Sequence, residues 1–299
     1  MNFTQEERAR YIGGSDAGAV LGVNPYKTPL DLWLEKTCKA PMEDISHKNA
    51  VRWGTKLEQF VAEEYEYRTG EKLRRDNLLH IHPKHEFIAA NLDRRVVGKK
   101  KLVEIKTSTS YTGKDFGKEG TAEVPMHYLA QCAHYMAVCD IDETDLVVAM
   151  LDKRDIAIYT IERDLALEEV IIQKECEFWE LVQSGTPPPA QTPEDVSKLY
   201  PQANGLAVSA NDGVEAQLSE LTHIKEEIKK LQEEQKQKEA NIKAFLSENE
   251  VLLSTAGQQL ATWKNQVANR FDSKAFKEAH PDLHEQFIKP SVSRVFRIH

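Results

Sequence analysis

"LVEIKTSTS", residues 102–110, reads as a short apolar strand that carries two ionic side chains. Successive side chains on a strand point to opposite faces, so Glu104 and Lys106 share one face and Ile105 points to the other. Taken alone, an E-x-K pair is most often an ion pair on a strand face. Its alternative is a carboxylate and an ammonium set side by side for metal-dependent phosphodiester chemistry, and the surrounding sequence has to decide. Upstream, "LLHIH" (78–82), "FIAANLD" (87–93) and "KLVEIK" (101–106) are strand candidates. Gly98 with Lys99, Lys100 and Lys101 marks a hairpin turn between the last two. Downstream, a polar loop runs from Thr107 to about Thr121, and Pro125 opens the helix "PMHYLAQCAHYMAVC". Strands "DLVVAML" (145–151) and "DIAIYTI" (155–161) precede a helix at about 164–183. The interleaving predicts an α/β (α+β) fold, a central mixed sheet flanked by helices.

The N-terminal segment adds helices against that sheet. Thr4 with Glu7 forms a capping box, and "GGSDAGAVLG" (13–22) reads as a small-residue helix with Ser15 as N-cap. Thr28 and Pro29 open another helix, and residues 47–69 form a long one closed by Gly70. "SGTPPPAQTP" (184–193) is the clearest break in composition, since successive prolines favour an extended segment. It is read as the linker in a first domain of residues 1–210, followed by a second of 211–299. From Val214 to Glu250 the chain is charged and helical. Val214, Leu221, Ile224, Ile228, Leu231, Ile242 and Phe245 recur at alternating three-four spacing, interrupted by Gln217, Gln235 and Lys238. That pattern predicts a coiled coil with a weak middle. "VLLST", "QQLATWK" and "SRVFRIH" then predict a small β element around a helical stretch holding Phe271, Phe276 and Phe287.

The net charge of -9 argues against a passive, sequence-indifferent DNA coat, though not against an enzyme that grips DNA through a local basic patch or through metal ions. Cys38, Cys132, Cys139 and Cys176 form no CxxC pair. Cys132 and Cys139 lie roughly 10 Å apart along one helix, too far for a disulfide. Reduced thiols, no apolar leader and no run of membrane length predict a protein of the cytoplasm, with no membrane partner.

A metal site at Glu104 needs further carboxylates. Asp93 lies eleven residues earlier, and in a hairpin of 87–93 with 101–106 the two meet only if the pairing is offset or a β-bulge bends the sheet. Glu58 shares a helical stripe with Gly54, Val61 and Tyr65, which aims it at the edge of the core. Three converging acids repel one another, and a hard divalent cation relieves that repulsion. Mg²⁺ is the expected ion, with Mn²⁺ as a substitute. Lys106 beside it would orient the attacking water or stabilise charge at phosphorus.

The ordered set "RYIGGSDAGAVLGVNPYKTPLDLW" (10–33), "GTKLE" (54–58), "NLDRRV" (91–96), "LVEIKT" (102–107) and "YLAQCAHYM" (128–136) resembles the phage-type exonucleases, the YqaJ-like viral recombinases similar to λ exonuclease, over about residues 8–183. These belong to the PD-(D/E)xK superfamily, and the resemblance implies a restriction-endonuclease-like core. It further implies Glu58, Asp93, Glu104 and the Ile105 carbonyl as metal ligands, Lys106 as the catalytic lysine, and Gln131 as the helix glutamine that holds lysine or substrate. Arg10 and Ser15 match the pair that binds a 5′-phosphate. In this view Gly13-Gly14 permits a tight turn and the following helix offers free N–H groups to the phosphate. The implied activity is Mg²⁺-dependent 5′→3′ degradation of double-stranded DNA from its ends, leaving 3′ single strands for a single-strand annealing protein, by an enzyme that forms homo-oligomers. A structure-specific endonuclease on the same core and a non-catalytic DNA-binding scaffold are the alternatives. His134 stands where relatives carry a second glutamine and reads as a partly buried helix residue in preference to a substrate contact. Tyr111, Lys114, Phe116 and Lys118 lie in a loop that would wedge or track DNA, or simply be surface. His80, His82 and His85 read as surface residues, and residues 211–299 as a protein-interaction module.

Overall fold

The computed structural model describes residues 5–41, 44–111, 113–290 and 292–298. The chain divides into two compact units, Met1–Leu199 and Tyr200–His299. The Thr4 half of the expected capping box lies outside the described residues.

The first unit begins with α1 (Gln5–Arg8), α2 (Gly14–Val20), α3 (Pro29–Lys36) and α4 (Asn49–Thr69). Short strands β1 (Leu73–Arg75), β2 (Leu79–Ile81), β3 (Ala89–Asn91) and β4 (Arg94–Val96) follow. Then come β5 (Lys101–Ser108), α5 (Met126–Cys139), β6 (Glu143–Met150), β7 (Asp155–Glu162), α6 (Leu165–Ser184) and α7 (Pro193–Leu199). The central sheet has the order β1-β4-β5-β6-β7. It is mixed: β5 and β6 run parallel, joined through α5, and the other neighbours are antiparallel. A parallel pair needs a long crossover, which α5 supplies.

Alternation along β5 sorts the two layers. Val103 and Ile105 pack with Val61, Ala62 and Tyr65 of α4. Leu102, on the opposite face, packs with Ala130, Ala133 and Met136 of α5 and Ile171 of α6. Glu104 and Lys106 share the Leu102 face and so lie under α5. Thr28 caps α3 by accepting the Asp31 N–H, with Pro29 at the first helical position, and Gly70 ends α4 in the left-handed conformation with φ 72°.

Three sequence expectations change here. "FIAANLD" is not one strand of a hairpin with β5: its middle, β3, pairs with β2 in a separate two-stranded sheet, and β4 is the strand that turns back onto β5. Ser15 is not an N-cap. Gly13 holds that place, and its N–H is met by Asp16 Oδ2 at 3.1 Å, while Ser15 is exposed inside α2. The glycines of this motif do not make a tight turn either, because Gly13 has ordinary extended backbone (φ −98°, ψ 167°). They permit close approach: a Cβ on Gly14 would lie 2.2 Å from the Tyr135 ring, and one on Gly18 would lie 2.8 Å from His127 Cβ. The segment after the prolines packs on the first unit, where Thr28 Oγ1 donates to Asp195 Oδ1 at 2.9 Å and Lys198 pairs with Asp31.

The second unit holds a long helix, α8 (Asp212–Leu246), a hairpin of β8 (Val251–Leu253) with β9 (Gln259–Thr262), and two short helices, α9 (Ser273–Ala279) and α10 (Pro281–Phe287). Asn211 caps α8 by accepting the Val214 N–H. Phe271 precedes α9 and packs on Phe276 with ring centroids 5.0 Å apart. "SRVFRIH" forms no strand among its described residues.

Candidate active site

The β4–β5 register decides the geometry. Arg94 stands opposite Val103 and Arg95 opposite Leu102, across a turn in which Gly98 takes φ +79°. Extending that register by one residue sets Asp93 level with Glu104 on the same face. Neither an offset nor a bulge is needed, contrary to the expectation from a 87–93 strand. The Asp93 carboxylate accepts the Ile105 N–H at 2.9 Å, which anchors it beside the strand.

Glu104 is 3% exposed. Its Oε1 accepts from Lys106 Nζ and from Gln131 Nε2, both at 2.7 Å. Its Oε2 is buried and has no hydrogen-bond partner among the described residues. Burial of a charged oxygen without a partner is costly, so this atom is the outstanding polar feature of the site. Burial also pushes the Asp93 carboxyl up to about 8, helped by the charge of Glu104 and, more weakly, of Glu58. The Lys106 ammonium feels burial in the opposite sense, but the charge and hydrogen bond of Glu104, with the charge of Asp93, outweigh it and hold its pKa above the ordinary value. Lys106 therefore stays charged, with its Nζ 5.4 Å from the centre of the Tyr128 ring.

Glu58 comes from α4, the helix on the opposite face. Arg94, 4% exposed, joins the two sides: its Nη1 donates to Glu58 Oε1 at 2.5 Å and to the Asp93 carbonyl at 2.8 Å. Among the described residues no three His, Cys, Asp or Glu side chains are arranged to hold a metal ion as they stand. The chemistry of the set nevertheless suits a hard divalent cation. It offers an unpartnered buried carboxylate oxygen, a neighbouring carboxyl whose proton affinity is raised by burial and by the charge of Glu104, and a third carboxylate paired with an arginine.

Three contributors were missed by the sequence reading. Arg94 reads as an ordinary basic residue beside Asp93, and nothing local marks it as buried. Tyr135 supports Gln131, whose Nε2 donates to Tyr135 Oη at 2.8 Å, and Tyr135 in turn rests against Gly14. Its spacing of four from Gln131 on one helix is the signal that could have found it. Tyr128, at the start of α5, roofs Lys106.

The other candidates fall elsewhere. His134 is fully buried, with Nδ1 2.7 Å from Glu175 Oε1 and Nε2 2.9 Å from the Ala89 carbonyl, so it is out of reach of any substrate. A carboxylate at one ring nitrogen and a carbonyl at the other both favour the protonated ring. Burial opposes that charge, and Glu175 outweighs burial and holds the pKa above 6.5. Arg10 is exposed and lines a cleft of about 600 Å³ with Tyr11, Phe87, Trp179 and Gln183, whereas Ser15 is not among the residues lining it. Asp16 at the mouth of α2 pairs with Lys36 at 2.7 Å, so the helix end already carries a carboxylate. Phe116 is packed against Tyr128 and Tyr159 and is not available as a wedge, whereas Tyr111 is 86% exposed. His82 and His85 stack at 5.0 Å, and Cys176 Sγ lies 3.6 Å from His85 Nδ1, so these histidines belong to a packed cluster.

Comparison with known proteins places the chain in a family. Residues 5–142 match the YqaJ-like viral recombinase domain. The uncharacterized protein YqaJ of Bacillus subtilis (strain 168) is 36% identical over 299 residues, covering 98% of this chain and 92% of the relative. The chain belongs to the YqaJ family. Among solved structures, similarity extends to the alkaline exonuclease LHK-Exo of Laribacter hongkongensis at 21% identity and a TM-score of 0.49, covering 60% of this chain and 91% of that one. A phage-related exonuclease from Haemophilus somnus 129PT aligns at 15% identity and a TM-score of 0.44, covering 58% of this chain and 96% of that one. No described helix of this YqaJ-family chain is long and apolar enough to cross a membrane.

Proposed function

We propose that this protein is a Mg²⁺-dependent exonuclease that degrades double-stranded DNA in phage-type recombination, with its centre at Glu104, Lys106 and Asp93. The observation that carries the reading is the state of Glu104. One oxygen is fixed by Lys106 and Gln131, and the other is buried without a partner beside a carboxyl whose pKa burial raises. A strand-face ion pair has no use for the orphaned oxygen or for the neighbouring acid. Membership of a family of viral recombinases supports the same reading.

Glu104, Asp93, Glu58 and the Ile105 carbonyl would hold the cation, with Mn²⁺ able to replace Mg²⁺. Bound there, it would neutralise phosphate charge and lower the pKa of water at neutral pH. The protein's own groups do the rest. Gln131 and Tyr135 fix the Glu104 carboxylate so that its second oxygen keeps one direction. Lys106, charged throughout the working pH range, donates a proton-bearing nitrogen where negative charge develops on the scissile phosphate. Arg94 ties Glu58 and the Asp93 backbone together, which keeps acids from two faces of the sheet in one place.

Direction follows from the end that is recognised. Arg10 and Ser15 are proposed to receive a 5′-phosphate, giving 5′→3′ resection and a 3′ single strand for an annealing protein. Residues 211–299 are proposed as the module that binds that protein. The test uses linear duplexes with 5′-phosphate or 5′-hydroxyl ends beside closed circular DNA. Faster loss of the 5′-phosphorylated strand supports an end-directed 5′→3′ enzyme. Equal cutting of closed circles would replace it with an endonuclease on the same core.

A further inference from the structure

Lys36 closes α3, and its side chain is only 6% exposed. A lysine in the last turn of a helix ordinarily serves that helix's own free carbonyls. Here Thr37 does so, its N–H and its Oγ1 both donating to the Trp33 carbonyl. Lys36 reaches away from its helix instead. Its Nζ lies 2.7 Å from Asp16 Oδ2, donates to the Arg8 carbonyl at 2.8 Å and donates to the Tyr11 carbonyl as well. An ammonium has three N–H groups and accepts nothing, so these partners use all of them. Lys36 therefore has no donor left for a substrate, and whatever it does for one is done through its neighbours.

Those neighbours bracket the two residues assigned to the 5′-phosphate. Arg8 and Tyr11 flank Arg10, and Asp16 follows Ser15. Arg10 and Ser15 are both exposed. We propose that Lys36 is a positioning residue for the 5′-phosphate contact, joining the segment that carries Arg10 to the turn of α2 that carries Ser15. The proposal rests on the reading of Arg10 and Ser15 as the phosphate pair.

The backbone around Arg10 needs such a brace. Its own hydrogen bonds are long, Arg10 N–H to the Glu7 carbonyl at 3.2 Å and Tyr11 N–H to the Arg8 carbonyl at 3.4 Å. The next firm point is Ile12, whose N–H donates to the Phe87 carbonyl at 2.7 Å. Lys36 holds the bend between α1 and Ile12 from a helix that is itself anchored. Leu30 and Leu32 of α3 are fully buried, and Trp33 Nε1 donates to the Leu181 carbonyl of α6 at 3.0 Å. A guanidinium grips a phosphate through a fixed fork of donors, so the placement of its backbone matters.

Charge is the second half of the argument. A bare carboxylate beside Ser15 would repel an incoming anion. Burial raises the proton affinity of Asp16, but the charge and hydrogen bond of Lys36 outweigh it and hold the carboxyl below its ordinary range. Asp16 thus stays ionised and goes on accepting the Gly13 N–H at 3.1 Å, with its charge answered by the ammonium beside it.

The test compares kcat/KM on linear duplexes with 5′-phosphate and with 5′-hydroxyl ends, for the full-length wild type and Lys36→Met. Lys198→Met, which removes another ion pair to α3, is the control and should leave the ratio unchanged. Lys36→Met is expected to lose about 10–100-fold on 5′-phosphate ends and to stay within about twofold on 5′-hydroxyl ends, so that the preference disappears. Fluorescence anisotropy of the same two duplexes in EDTA reads the preference without turnover. The double variant Asp16→Asn, Lys36→Met strands no buried charge, so it should keep a cooperative urea transition and still lack the preference. A wild type with no preference would remove the Arg10–Ser15 reading and this proposal with it. A wild-type preference that survives in Lys36→Met or in the folded double variant, or equal losses on both kinds of end, would overturn the positioning role alone.

Discussion

Replacing Gly14 by Ala should disturb the candidate active site from outside it. The added methyl carbon would lie 2.2 Å from Tyr135 Cε1, 2.7 Å from Cζ and 2.9 Å from Cδ1. Non-bonded carbons prefer about 3.5–4.0 Å, so the ring or α2 has to give way by about 1.3 Å. Tyr135 is 5% exposed and packed in the main core, which leaves little room to move. Overpacking of this kind costs about 1–3 kcal/mol. The same displacement breaks the 2.8 Å contact between Tyr135 Oη and Gln131 Nε2, and leaving buried polar groups unpaired adds about 1–3 kcal/mol. Gly14→Ala is thus expected to lose about 2–6 kcal/mol in urea unfolding and to lower the rate of DNA degradation by loosening Gln131 on Glu104. Gly13→Ala is the control. Its added carbon meets nothing nearer than 3.9 Å and its backbone is ordinary, so stability should stay within about 0.5 kcal/mol. An unchanged Gly14→Ala midpoint, or equal damage from Gly13→Ala, would refute the close-approach account of this motif and restore a turn requirement.

Gln131→Leu keeps the volume but removes the donor to Glu104, and is expected to cost about 10–100-fold in activity or cation affinity, read by rates against Mg²⁺ concentration. His134→Leu breaks a buried pair and strands Glu175, so urea unfolding should show a loss of about 3–5 kcal/mol. Because His134 has a raised folded-state pKa, its stabilisation is complete below about pH 6.5 and is lost as pH rises through the folded value, so the wild-type advantage over His134→Leu should shrink in alkali. Asp93 shifts from 3.8 up to about 8, so the folded chain binds the extra proton between those values and the cation-free protein loses stability as pH climbs from 3.8 to about 8. A cation needs the ionised carboxyl, so the thermal stabilisation by Mg²⁺ should be larger at pH 9 than at pH 6, and the reverse order would remove Asp93 from the ligand set.

Much of this arrangement was legible before any coordinates. The period of two in "LVEIK" put Glu104 and Lys106 together, and the period of 3.6 in "YLAQCAHYM" produced a helix to cover them. What the sequence hid has physical causes. Strands of three residues, such as β3 and β4, are too short to show alternation, so "FIAANLD" read as one strand. The register was nonetheless countable, because Asp93 and Glu104 are equally spaced about the Gly98–Lys99 turn. Burial of Arg94 depends on α4 arriving from the other face, a long-range fact with no local signature. The glycines of "GGSDAG" are ambiguous because a turn and a close contact both call for the same residue, and only the Tyr135 ring distinguishes them. Chain-distant packing likewise turned His82, His85 and His134 from surface or partly buried residues into packed ones.

Glu104 and Lys106 are proposed to form a cation-dependent hydrolytic centre for DNA. The most direct test measures nucleotide release from a 5′-phosphorylated linear duplex with Mg²⁺ or EDTA, for the wild type and for a Lys106→Ala variant shown to be folded. Release that requires Mg²⁺ and disappears in the variant is the predicted result. Undiminished release by Lys106→Ala, or none by the wild type with either Mg²⁺ or Mn²⁺, would contradict the account and return "LVEIK" to an ion pair on a strand.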